Sequence, residues 1–96
     1  MRVLINVEID TQTGNGEITS GDMGKVMQDI MGALKPEAAY FYPRNGHRAV
    51  TLVTDLPDAA AIPAALEPFW QRFNAHVEAF PCMNADELGQ GISRLS

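Results

Sequence analysis

The chain is poor in the residues that would mark out an unusual class of protein. It has one cysteine in 96 residues, Cys82, so no internal disulfide is open to it. Small exported domains lean on several disulfides, and the cytoplasm is therefore the expected compartment. No apolar run approaches the ~20 residues that cross a bilayer. The N-terminus, Met1 to Asp10, turns polar too early for a signal peptide. Basic residues are few, seven against twelve acidic ones, for a net charge of −5. They are also scattered: Arg2, Lys25, Lys35, Arg44, Arg48, Arg72 and Arg94. Nucleic-acid binding rests on clustered Lys and Arg and is not expected here. The two histidines, His47 and His76, have no metal-ligand spacing. Nothing beside a lone histidine marks a haem pocket, so no cofactor is expected. Repeats, low-complexity tracts and long linkers are missing as well, and residues 1–96 read as a single domain.

What remains is an ordinary globular composition, 46% hydrophobic and 20% charged. At this length a monomer's core is thin, so pairing with a second chain is a useful source of stability.

Hydrophobic periodicity divides the chain into elements. Val3, Ile5, Val7 and Ile9 alternate with Arg2, Leu4, Asn6 and Glu8, the pattern of a strand with one buried face. Asp10 to Asp22 holds Gly14, Gly16 and Gly21 without apolar periodicity and reads as a long loop. Residues 22–34 read as a helix: Met23, Val26, Met27, Ile30, Met31 and Leu34 form one stripe, Ser20 or Asp22 caps its start, and Pro36 ends it. The methionines suit either plain core filling or a pliable pocket wall.

Residues 37–43 and 47–54 read as a hairpin about Asn45-Gly46, a dipeptide that tolerates the positive φ of a type I′ turn. A two-residue turn sets Arg44 opposite His47, Tyr42 opposite Ala49, Phe41 opposite Val50, Tyr40 opposite Thr51 and Ala39 opposite Leu52. After Asp58, a candidate cap, Ile62, Leu66, Phe69, Trp70 and Phe73 give a second helical stripe. Pro63 predicts a fresh start there and Pro68 a kink. Residues 75–82 read as the last strand, with Val77 and Ala79 on one face and His76, Glu78, Phe80 and Cys82 on the other. Asn84 and Glu87 have capping-box spacing before a short helix lined by Leu88, Ile92 and Leu95.

This order is the split-βαβ plan of ferredoxin-like folds: an α+β, βαββαβ domain with a four-stranded antiparallel sheet and a short C-terminal helix. Right-handed crossovers put both main helices on one face, over Val3, Ile5, Val7, Ile9, Phe41, Val50, Leu52, Val77 and Ala79. The other face carries Leu4, Asn6, Glu8, Tyr40, Tyr42, Thr51, Val53, His76, Glu78 and Phe80. It is too apolar to be left to solvent, and a homodimer packed sheet to sheet about a twofold axis is the economical solution.

The plan resembles the dimeric α/β-barrel superfamily, which includes muconolactone isomerases, cofactor-free antibiotic-biosynthesis monooxygenases and haem-binding chlorite dismutases. The stretch from Glu67-Pro68-Phe69-Trp70 through Phe80-Pro81-Cys82-Met83, with Asp86 and Leu88, is similar to the second-helix-to-last-strand segment of small proteins in that superfamily. The resemblance implies this fold and a dimer. It carries over no catalytic residue.

The strongest acid–base grouping is His76 with Glu78 on one strand face and Asn6 and Glu8 alongside. In the catalytic reading His76 is the general base, with Tyr42 and Asn6 as orienting or oxyanion groups. Tyr40, Glu78, Met27 and Met31 then form the substrate-binding set. The chemistry would be isomerase or monooxygenase work, without cofactor, on a small aromatic or lactone-like molecule. The competing reading is a non-catalytic ligand-binding or assembly module whose polar face is only an interface. Cys82 is a nucleophile only with a base to lower its pKa, and otherwise a small hydrophobe. Gly14-Asn15-Gly16 lacks the third glycine of a dinucleotide fingerprint, since position 19 is Thr19. Arg44 and Arg48 flank the hairpin turn, placed either to hold an anion or to stand in solvent.

Overall fold

The computed structural model describes residues 1–95. Strand β1 (Arg2–Glu8) is followed by helices α1 (Thr11–Ser20) and α2 (Met23–Leu34). The hairpin β2 (Ala38–Arg44) and β3 (His47–Asp55) comes next. A single 3₁₀ turn, Ala59–Ala61, leads into α3 (Ile62–Phe73), then β4 (His76–Pro81) and α4 (Ala85–Ser93). The four strands form one antiparallel sheet in the order β2-β3-β1-β4, the ferredoxin-like arrangement.

Alternation along the strands does what the periodicity predicts. Val3, Ile5 and Val7 of β1 and Val50 and Leu52 of β3 are buried with Val26 and Ile30 of α2 and Ala65, Leu66, Phe69 and Phe73 of α3. One buried polar side chain sits in this layer. Thr54 is 1% exposed, and its hydroxyl donates to the Leu34 carbonyl at 2.7 Å. That bond satisfies one of the carbonyls that a helix leaves open at its C-terminal end. The hairpin register is the expected one: Arg44 pairs with His47, Tyr42 with Ala49 and Tyr40 with Thr51. Asn45 and Gly46 both have positive φ, 53° and 77°, as the turn demands.

The main correction concerns residues 10–22, read from the sequence as a loop. Thr11–Ser20 is a helix. Asp10 caps it, its carboxylate accepting from the Thr13 amide at 3.0 Å and the Thr13 hydroxyl at 2.9 Å. The expected apolar stripe was missing because α1 buries almost nothing: Gly14 is its one buried residue. It is held from outside. Arg48 donates to Asn15 Oδ1 at 3.1 Å, and the Arg72 guanidinium stands 3.6 Å from Glu17 Oε2.

Smaller corrections follow the same logic. Asp22 occupies the N-cap position of α2 and Asp58 that of the 3₁₀ turn, but neither makes a side-chain cap bond. Pro63 lies in the first turn of α3, as expected, and Pro68 is accommodated inside the helix without ending it. Phe41 faces the helix side but is 57% exposed, because no helix covers the outer strand β2 there. The capping box forms, with Asn84 accepting from the Glu87 amide and Glu87 from the Asn84 amide. Arg2 bridges Glu37 and Glu87 and so ties the start of α4 to the sheet. Beyond that tie α4 stands off the body. Leu88 and Ile92 remain half exposed, and the molecule is drawn out to 55 × 26 × 17 Å.

Candidate functional site

The sheet separates the candidate residues into two groups, one on each face. On the face away from the helices the register sets three rows, read from β4 to β2. They are Phe80–Leu4–Val53–Ala38, Glu78–Asn6–Thr51–Tyr40 and His76–Glu8–Ala49–Tyr42. Tyr40 and Phe80, at opposite edges, are the exposed aromatics of this face.

Within these rows the structure brings Tyr42 and Asn6 together through a residue between them. The Tyr42 hydroxyl lies 2.5 Å from Thr51 Oγ1, and Thr51 donates to Asn6 Oδ1 at 2.8 Å. The phenol is held below its ordinary value of 10.0, first by the Thr51 hydrogen bond to its oxygen and then by Arg44. Burial opposes the shift. Arg44 also stands 3.4 Å from Glu8 Oε1, which accepts from Asn45 Nδ2 at 2.9 Å.

His76 is not part of this line. Its cross-strand neighbour is Glu8, already engaged by Arg44 and Asn45, and its nearest carboxylate oxygen is Glu78 Oε1 at 3.9 Å. The imidazole is 72% exposed. His76 and Tyr42 occupy the two outer strands, roughly 14 Å apart at ~4.8 Å per strand. His47, beside the hairpin turn, is half-buried and within hydrogen-bond distance of the Thr11 hydroxyl, 3.1 Å from Nδ1. Cys82 is half-buried just past β4. Among the described residues no three His, Cys, Asp or Glu side chains gather as metal ligands would, and no helix is long and apolar enough to cross a membrane.

The methionines belong to the other face. There α1, α2 and the hairpin enclose an open groove of about 400 Å³. Met23 and Met27 form its helical wall, Phe41, Pro43 and Val50 its sheet wall, and Ile18 of α1 its rim. Tyr42 and Ala49 border it too, although alternation gives their side chains to the opposite face. Met31 packs on the core farther along α2 and is not in the groove. Two features of this site are not legible in the sequence: Ile18, which belongs to a helix without an apolar stripe, and Arg48, which is exposed near the hairpin turn and also borders the groove.

The chain matches no protein-family model and no curated protein sequence. Among solved structures it is similar to the de novo designed protein Ferredog-Diesel, at a TM-score of 0.50 and 8% identity over 84% of this chain and 85% of the design. It is also similar to a formyltetrahydrofolate deformylase from Pseudomonas putida KT2440, at a TM-score of 0.50 and 11% identity, over 84% of this chain and 28% of that one. Likeness at such identities bears on the fold alone: the chain is similar to ferredoxin-like structures across most of its length.

Proposed function

We propose that this protein is a homodimeric binding module for a small apolar or aromatic molecule, taken up in the groove between α2 and the β2–β3 hairpin. The observation that carries the reading is the groove's composition. Met23, Met27, Phe41 and Val50 surround a space of about 400 Å³, inside the range of small-molecule sites. Thioether walls repack around ligands of differing outline. The second copy belongs on the opposite face, where Phe80 stands exposed in the same row as Leu4 and Val53 and Tyr40 stands exposed in the row beside it. Two such faces stacked about a twofold axis are self-complementary.

A cofactor-free isomerase or monooxygenase, as in the dimeric α/β-barrel superfamily, is the second reading. The hydrogen-bonded line Tyr42–Thr51–Asn6 favours it, since a phenol of lowered pKa can pass a proton. In that reading His76 meets Tyr42 only across the dimer, because within one protomer three strand spacings separate them.

A thermal-shift screen with small aromatic, lactone and quinone-like compounds tests both. A bound compound raises the melting temperature and moves the methyl resonances of Met23 and Met27. Chromatography of the same mixtures detects turnover, which the module reading does not produce. Sedimentation gives the assembly: a dimer is expected, dissociating in Tyr40→Glu. A monomer overturns the dimer, and a screen without stabilising compounds overturns the groove.

A further inference from the structure

We infer that the groove's ligand is an apolar monoanion, an aromatic or short aliphatic carboxylate, anchored by Arg48; this rests on the groove being a ligand site at all. Arg2, Arg44 and Arg72 each stand against a carboxylate. Among the described residues no carboxylate lies within ion-pair distance of Arg48, whose one side-chain partner is the neutral Asn15 Oδ1 at 3.1 Å. Among the described residues that line the groove, none is acidic. In a protein of net charge −5, Arg48 is thus the one charged residue among those described at the border of an apolar groove.

The guanidinium is also held in place. It lies across Gly14 of α1, where an added Cβ would come within 2.9 Å of Arg48 Nη1 and 3.2 Å of Ile9 Cγ2. Asn15 engages one of its five N–H donors and leaves the others for a ligand. A planar carboxylate matches the guanidinium fork, while the body of the molecule lies on Met23, Met27 and Phe41. One arginine balances one negative charge, which selects a monoanion over a dianion or a cation.

Titration calorimetry with 2-naphthoate and its uncharged amide, 2-naphthamide, tests this on the intact chain, with the Met23 and Met27 methyl shifts reporting where each probe sits. The expected result is naphthoate binding about tenfold tighter than naphthamide, the preference shrinking as salt is added. Arg48→Gln should bring the two probes level, and Arg48→Lys should keep part of the difference. Gly14→Ala retains the arginine but presses on its guanidinium, so it should weaken naphthoate more than naphthamide. Equal binding of both probes to the native protein, or a preference that survives in Arg48→Gln, overturns the anchor and leaves the groove reading standing. Failure of both probes to bind the native protein overturns both.

Discussion

Tyr42 and Asn6, on strands that are not neighbours, both bond to the one hydroxyl of Thr51, at 2.5 and 2.8 Å. Thr51 has a single proton to give. While Asn6 receives it, Tyr42 is the donor to Thr51. When the phenol ionises, the proton must turn to the phenolate and the Asn6 bond is released. Ionisation of Tyr42 is thus coupled to the side chain at the centre of the open face.

Ultraviolet titration of the native protein against Tyr42→Phe should isolate a phenol that ionises below 10.0. Thr51→Val removes the first cause of that lowering and leaves Arg44 as the second. Its Tyr42 phenol should titrate higher than in the native chain, and an unchanged titration would exclude Thr51 as the cause.

Acid should loosen α1 through its cap. The Asp10 carboxylate is held below 3.8, first by the hydrogen bond from the Thr13 amide and then by the Thr13 hydroxyl. A depressed folded-state pKa contributes stability that is complete above the unfolded value. It is lost as pH falls through the folded one. Asp10→Asn keeps a capping oxygen without the charge. Urea midpoints of the two proteins should differ at neutral pH and converge as pH falls through the folded-state pKa, which lies below 3.8.

Two glycines of one helix should respond oppositely to alanine. Nothing lies within 4 Å of a Cβ at Gly16, so Gly16→Ala should stabilise by up to ~1 kcal/mol from helix propensity. At Gly14 the same gain is set against Arg48 and Ile9 at 2.9 and 3.2 Å. A net loss on the order of 1 kcal/mol is expected from crowding. Denaturant melts of the pair decide it.

Thr54→Val keeps the shape and removes the donor to the Leu34 carbonyl. Leaving this part-buried acceptor without a partner costs on the order of 1 kcal/mol, the low end of the range for a fully buried one. Thr54→Ser should retain the hydrogen bond and lose less. The comparison by thermal melting separates the bond from the methyl group.

The sheet was legible residue by residue, because period-two alternation and Asn45-Gly46 together leave one register for the hairpin. α1 was not. Its stability comes from the Asp10 cap and from Arg48 and Arg72, which reach it from other elements, and no window of its own sequence contains them. The local trace was Asp10 with Thr13 three residues on. The candidate site was half legible for the same reason. The methionine stripe pointed to a wall, and Met23 and Met27 stand in one. The groove's rim at Ile18 and the place of Arg48 beside it depend on where α1 folds back, a tertiary fact. His76 and Tyr42 share a face by parity, but parity carries no distance, and strand order puts them at opposite edges.

Strand β1 lies between β3 and β4, paired with residues 49–55 on one side and 76–81 on the other. Both partners lie far from β1 along the chain. During synthesis β1 therefore waits with one edge open until β3 has been made and with the other open until β4 has. The β2–β3 hairpin needs only its own two-residue turn and can form first. Pairings of such long sequence separation slow folding. Until they close, Val3, Ile5 and Val7 lie on an unpaired apolar strand, open to misassociation during synthesis.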